Sequence, residues 1–226
     1  MVVKISKLKK KFGEFRALDG INLNISQGNL FGLLGPNGSG KSTLIKILTG
    51  QLSPTSGEIQ VLSKDPTKNP IEVRKICGII PEQETPPSFL SAEEYLNFVS
   101  EIRGSNKNKI DWWFDFLDFG HERNKLSKDL SRGTRQKLMF AQAFLHEPKL
   151  AFIDEPLINL DPVIQSKIKK YLKEYVKKGN TIFLSTHILE IAQEICSEIA
   201  IITKGQIKYS GKVKNNLDKF FLKTVN

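Results

Sequence analysis

Cysteine is nearly missing from this chain: 226 residues carry only Cys77 and Cys196. Two cysteines without a C-x-x-C pair or a histidine cluster build neither a disulfide framework nor a zinc site, so both read as small core residues. Long apolar runs are absent as well. The longest, such as Ile199-Ala200-Ile201-Ile202, fall far short of the roughly 20 residues a membrane helix needs. The basic N-terminal stretch with Lys4, Lys7, Lys9, Lys10 and Lys11 lacks a signal-peptide core, because Val3, Ile5 and Leu8 are dispersed along it. There is no internal repeat, and no heptad run between residues 41 and 131. These absences point to a cytoplasmic protein of one large domain, or of one domain with a smaller lobe.

Charge is one-sided, with 34 Lys and Arg against 24 Asp and Glu, a formal net charge of +10. Such a balance suits nucleic acid or an anionic membrane surface. The lysines are nevertheless spread over the N-terminus, the segment 167–178 and a Lys-rich tail at 204–223, with no Arg-aromatic interleaving to read bases. Within the second segment Ile164, Ile168, Leu172 and Val176 form an apolar stripe, which leaves its lysines on a solvated helix face. Nucleic acid is therefore not the expected partner.

Periodicity gives an α/β layout. Alternation in Val3-Lys4-Ile5-Ser6-Lys7-Leu8 and Ile21-Asn22-Leu23-Asn24-Ile25 marks half-buried antiparallel strands, which the segment 58–62 should join. Runs at 30–34, 76–80, 150–153, 181–185 and 199–203 are apolar with little alternation, as parallel strands covered on both faces are. The stretch of about 88–146 changes to helical patterns around Tyr95, Leu96 and Val99 and around Trp112, Trp113, Phe116 and Leu117. It reads as an inserted helical lobe, entered through a Pro-rich linker at 81–87 and starting at a Ser91 cap followed by Glu93 and Glu94.

Three motifs carry chemistry. Gly35-Pro36-Asn37-Gly38-Ser39-Gly40-Lys41-Ser42 fits the phosphate-loop pattern G-x-x-x-x-G-K-[ST], and it lies between an apolar strand and the helical pattern Leu44, Ile47, Leu48. Its glycines allow turns that aim backbone N–H groups at an anion lying on the N-terminus of the next helix. Lys41 then reaches the β- and γ-phosphates, Ser42 supplies a hydroxyl to Mg²⁺, and Thr43 supplies another to phosphate oxygens. Asp154 and Glu155 follow the strand 150–153 at the edge where open parallel sheets bind ligands. Asp154 is expected to hold Mg²⁺, and Glu155 to polarise the water attacking the γ-phosphate. His187 sits beyond the strand 181–185 at the same edge, within reach of the γ-phosphate.

In order, these motifs resemble the nucleotide-binding subunit of ATP-binding cassette (ABC) transporters over essentially the whole chain, 1–226. The resemblance implies a P-loop ATPase core with a mostly parallel sheet, an N-terminal antiparallel subdomain and an inserted helical subdomain. It matches a glutamine loop at Glu82, a signature at Ser131 and Gly133, a D-loop at Asp161 and a switch histidine at His187. It also implies that an aromatic residue near the N-terminus, Phe12, stacks on adenine, with a core role for Phe12 as the competing reading. Three positions depart from the family pattern. Glu82 stands where glutamine is usual, with the amide displaced to Gln83; Leu130-Ser131-Arg132-Gly133-Thr134 has Arg132 and Thr134 in place of Gly and Gln; and Asn159 replaces a glycine before Asp161.

The signature implies a second ATP-binding subunit, because in the family it caps the γ-phosphate held by the opposite protomer. A homodimer or heterodimer, cofactors ATP and Mg²⁺, and a separate transmembrane permease follow from the resemblance, with the ATPase peripheral on the inner face of the membrane. Phe89, Tyr95 and Phe98 are either contacts for that permease or lobe core. The motif variants look more exporter-like than importer-like. The other readings are a soluble cassette acting on nucleic acid or ribosomes and a poorly hydrolysing half of a heterodimer.

Overall fold

A computed structural model describes residues 1–83 and 86–225. The alternating N-terminal segments become strands β1 (Val3–Phe12) and β2 (Phe15–Ile25), reversed at Gly13. With β4 (Ser56–Val61) they form an antiparallel sheet in the order β2-β1-β4, in which Val3 pairs with both Ile25 and Val61. Every second residue (Val3, Ile5, Leu23, Ile25, Ile59, Val61) is buried, as a one-sided sheet requires.

The apolar runs form the second sheet. Its order is β5 (Cys77–Ile80), β6 (Leu150–Asp154), β7 (Thr181–Thr186), β3 (Leu30–Leu34), β8 (Glu198–Thr203) and β9 (Gln206–Lys212). The first five are parallel, and β9 closes the edge antiparallel to β8. The 204–223 segment, expected as a tail, thus supplies a strand and most of helix α8 (Leu217–Val225). The physical cause is a two-residue hairpin at Lys204-Gly205, both with positive φ, which folds the half-polar β9 back onto a buried strand.

Helix α1 (Lys41–Leu48) follows β3, and α2 (Pro70–Ile76) leads into β5. The helical lobe contains α3 (Ala92–Arg103), α4 (Lys109–Phe116) and α5 (Arg132–Phe144), inside the expected 88–146. Ser91 starts it with a full capping box: its hydroxyl accepts from the Glu94 N–H at 3.2 Å while Glu94 Oε2 accepts from the Ser91 N–H at 2.8 Å. Residues 84 and 85 of the expected linker lie outside the described residues. The core helices α6 (Pro162–Lys177) and α7 (Leu189–Ile195) complete the layers. An aromatic seam of Trp113, Phe140 and Phe144 from the lobe meets Tyr171 of α6 at ring separations of 5.2–6.0 Å. Rings packed edge-on in this way add about 0.5–1.5 kcal/mol per pair to the burial itself.

Tyr95 packs against the lobe core, whereas Phe89 and Phe98 are 75% and 50% exposed, which divides the three aromatics left open by the sequence. Among the described residues no helix is long and apolar enough to cross a membrane.

Candidate active site

The phosphate loop is shaped by what cannot fit beside it. A Cβ on Gly35 would press into the Ile202 carbonyl oxygen and stand 2.6 Å from Ser39 Oγ, and one on Gly40 (φ 109°) would stand 2.7 Å from the Ala17 carbonyl oxygen. The loop therefore lies tight between β8 and β2, and α1 springs from it with no acidic residue in its first turn. Its leading N–H groups, including those of Lys41, Ser42 and Thr43, have no acceptor within the helix, so an anion at this end meets both N–H donors and the positive end of the dipole. Lys41 is buried, its ammonium donating to the carbonyls of Gly35 at 2.8 Å and Pro36 at 3.2 Å. Burial pulls its pKa down, and Glu155, Asp154 and Glu82 oppose that shift.

Oxygen donors gather opposite the lysine. Asp154, the last residue of β6, is buried and accepts a hydrogen bond from the Ser185 hydroxyl of β7. Burial raises its carboxyl pKa, against hydrogen bonds from Ser185 and Ser42. The Ser42 hydroxyl, with one proton to give, lies between Asp154 and Glu82 Oε2, the latter at 3.2 Å, so Ser42, Glu82 and Asp154 converge from three elements. A set of two carboxylates and a hydroxyl, with no thiolate or imidazole, is hard-oxygen chemistry and fits Mg²⁺. Among the described residues no cluster of three His, Cys, Asp or Glu forms an alternative metal site. Gln83 lines only an adjoining recess of about 170 Å³.

Glu155 begins the segment after β6 in the left-handed region at φ 50°. Its N–H donates to the Ser185 carbonyl at 3.1 Å, and its carboxylate is only 10% exposed. One carboxylate oxygen accepts from the His187 N–H at 2.9 Å and faces His187 Nδ1 at 2.6 Å; the other accepts from the Thr186 hydroxyl at 3.0 Å. A carboxylate held from three sides beside a half-exposed imidazole can take a proton from water at a defined place.

Lys41, Ser42, Thr43, Glu82, Asp154, Glu155 and His187 all line one cavity of about 420 Å³, together with Asn37, Gly38 and Gly40. Its aromatic wall is Phe15. Phe12, the expected stacking residue, is 49% exposed, which excludes the core reading, but it does not line the cavity. Phe12 and Phe15 are register partners at the tip of the β1–β2 hairpin, and both are largely exposed. Within a single chain Ser131, Gly133 and Asp161 also stay outside the lining. Ser131 N-caps α5, its hydroxyl accepting from the Thr134 N–H at 3.1 Å, and Asp161 N-caps α6 by accepting from the Ile164 N–H at 2.9 Å. Gly133 is required by packing, since a Cβ there would stand 2.8 Å from the Asn159 carbonyl oxygen. Asn159 itself takes the left-handed turn at φ 66° that its side chain tolerates.

Sequence reasoning overlooked Ser185 and Thr186, which orient the two carboxylates, although their position at the same strand end was a signal for them. Arg132, noted only as a departure, lines the cavity.

Comparison with known proteins fits this geometry. The family model described as "ABC transporter" matches residues 18–158. The bacitracin transport ATP-binding protein BcrA of Bacillus licheniformis is 35% identical over 208 residues, covering 91% of this chain and 68% of that protein. The lantibiotic transport ATP-binding protein SrtF of Streptococcus pyogenes is 34% identical over 226 residues, covering 97% and 96%. Among solved structures, an ATP-binding subunit of an ABC transporter superposes with a TM-score of 0.93 at 26% identity over 99% of both chains. A dimeric, post-hydrolysis ATP-binding cassette bound to ADP and Pi superposes with a TM-score of 0.84 at 25% identity, covering 94% of this chain and 99% of that one. With the family match running from within β2, through the phosphate loop, to just past Glu155, and with relatives more than 30% identical over nearly the whole chain, the chain belongs to the ABC transporter family as one of its ATP-binding cassettes.

Proposed function

We propose that residues 1–226 act as one ATP-binding unit, with its helical lobe at about 88–146, that hydrolyses ATP with Mg²⁺ as half of a dimer and powers a separate membrane-spanning exporter. The observation that carries this reading is the convergence of Lys41, Ser42, Glu82, Asp154, Glu155 and His187 on one cavity.

The loop from Gly35 to Gly40 and the first turn of α1 cradle the phosphates, and Lys41 swings from the loop carbonyls to their outer oxygens. Thr43 adds a hydroxyl there. Ser42, Asp154 and Glu82 hold the cation. When bound, Mg²⁺ neutralises charge developing on the transferred phosphoryl group. Glu155 accepts the proton of the attacking water, oriented by Thr186 and His187, and the exposed His187 ring faces the γ-phosphate. Phe15, with Phe12 beside it, offers the adenine a ring to stack on. Ser131, Gly133 and Asp161 lie outside their own cavity and serve the nucleotide of the partner subunit; the dimeric cassette bound to ADP and Pi supports that arrangement.

The names of BcrA and SrtF, a bacitracin and a lantibiotic transport ATP-binding protein, support a role in transport and that class of cargo. Phe89 and Phe98, exposed on the lobe side, suit the contact with the permease that brings the subunit to the inner face of the membrane. Affinity purification of the tagged chain from detergent-solubilised membranes, followed by mass spectrometry, tests the reading. A stoichiometric multi-span membrane protein is the expected companion, and co-purification with ribosomes or nucleic acid instead would overturn it.

A further inference from the structure

The segment 155–161 joins the carboxylate of Glu155 to the cap of α6, and it is held from two sides by glutamines. From α6, Gln165 Nε2 donates to the carbonyls of Leu157 at 3.1 Å and Leu160 at 3.0 Å. From α5, Gln136, only 2% exposed, donates its Nε2 to the Pro156 carbonyl at 3.0 Å. Between these clamps, Gly133 lies against the Asn159 carbonyl, at a separation that leaves no room for a side chain. Two non-glycine residues of the segment, Glu155 (φ 50°) and Asn159 (φ 66°), occupy left-handed backbone, a conformation that persists only where the surroundings over-determine it. Gln136 lies one turn into the helix that Ser131 caps, so its amide connects the start of α5 to the residue immediately after Glu155.

We propose that Gln136 is a positioning residue for ATP hydrolysis: its hydrogen bond to the Pro156 carbonyl carries the position of the Ser131 end of α5 to the carboxylate of Glu155. The proposal rests on the reading of Glu155 as the general base. The intermediate is stiff. The Pro156 ring fixes its own φ, which leaves ψ as the one soft torsion between the Pro156 carbonyl and the Glu155 backbone. Glu155 is in turn anchored by Thr186 and His187, so a small displacement of the Pro156 carbonyl is felt at bonds of 2.6–3.0 Å. The aromatic seam of Phe140 and Phe144 with Tyr171 joins α5 to α6 behind this contact, so both clamps shift as one body. Docking of a partner's nucleotide on the Ser131 end would then set the base in its own subunit.

The test uses the whole chain with Gln136→Met, which keeps the length and removes the donor, and Gln136→Glu, which keeps the shape and turns donor to acceptor. Turnover should fall about tenfold in either, as expected for one buried hydrogen bond left unmade, while the KM for ATP and the affinity for a fluorescent ATP analogue stay within about twofold of wild type. Single-turnover hydrolysis is then measured with Glu155→Gln alone and combined with Gln136→Met. If Gln136 acts through Glu155, the double variant is no slower than Glu155→Gln alone. A further tenfold loss in that background, wild-type turnover in the single variants, or a loss of nucleotide affinity parallel to turnover would each overturn the proposal, the last by making Gln136 merely structural. A Glu155→Gln variant with undiminished hydrolysis would instead remove the base assignment, a separate failure.

Discussion

The phosphate loop and the start of α5 are both glycine-bearing turns that open a helix, yet they are made differently. The loop at Gly35 and Gly40 is a backbone object, wedged between the carbonyls of Ile202 and Ala17. The start of α5 is a side-chain object: Ser131 caps it, Arg135 Nη1 donates to the Leu130 carbonyl at 2.7 Å, Gln136 reaches Pro156, and only Gly133 is pinned by a close approach. The first follows its motif at every defined position, and the second has Arg132 and Thr134 where the family pattern has Gly and Gln. A site made of N–H groups constrains sequence through space, so few sequences satisfy it. A site made of interchangeable side chains leaves more solutions open.

The contrast can be broken first at the chemistry the two regions share. Glu155→Gln keeps an acceptor oxygen for the His187 backbone N–H and presents an NH2 to the Thr186 hydroxyl, which can accept from it, but cannot take a proton. Turnover should fall about 10²–10⁴-fold with ATP binding retained and an ATP-dependent dimer accumulating, measured by phosphate release and size-exclusion chromatography. Next come the two glycines. Gly35→Ala forces a methyl group into backbone and should cost about 1–3 kcal/mol or more, read as lost ATP affinity and a lower unfolding midpoint. Gly133→Ala, which opposes a single carbonyl, should leave the affinity of the isolated chain near wild type while lowering turnover. Equal losses of affinity in the two variants would erase the distinction between the two turns.

A smaller effect is expected where the lobe joins the core. His146 has both ring nitrogens buried without a partner among the described residues, and burial followed by the nearby Arg103 charge lowers its pKa from 6.5 to about 4. The unfolded chain therefore binds a proton that the folded one refuses. The stability carried by neutral His146 is complete above about pH 6.5 and is lost as pH falls toward 4. Unfolding midpoints of wild type should drop relative to His146→Leu between pH 7.5 and 5, and parallel curves would show that His146 carries none of the dependence. The smallest change is expected from Arg132→Gly. This exposed cation lines the nucleotide cavity, so its loss should weaken ATP binding about two- to fivefold at low salt and less at high salt, in keeping with a screened surface charge.

Much of the molecule was legible because its signals are local. The parallel strands announce themselves as unbroken apolar runs, and the phosphate loop and Asp154-Glu155 are read directly at strand ends. What escaped depends on pairing. β9 has only Ile207 and Tyr209 as half-buried anchors and owes its strand to β8. Phe12 and Phe15 are register partners in the same hairpin, and nothing in composition marks Phe15 as the one that lines the cavity. Gln83 and Glu82 are neighbours in sequence, and only the path of the chain beyond β5 brings the acid to Ser42. Gln136 looks like any polar residue of a surface helix until its carbonyl partner is seen.

Cys77 is buried at the start of β5 and Cys196 packs against Gly32, and burial pushes both thiols up to about 12. At neutral pH both are therefore held as thiols rather than as the more nucleophilic thiolate. A cysteine placed at exposed Phe89 should therefore react with a fluorophore or spin label ahead of both native thiols, and opening and closing of the dimer would be followed from that position.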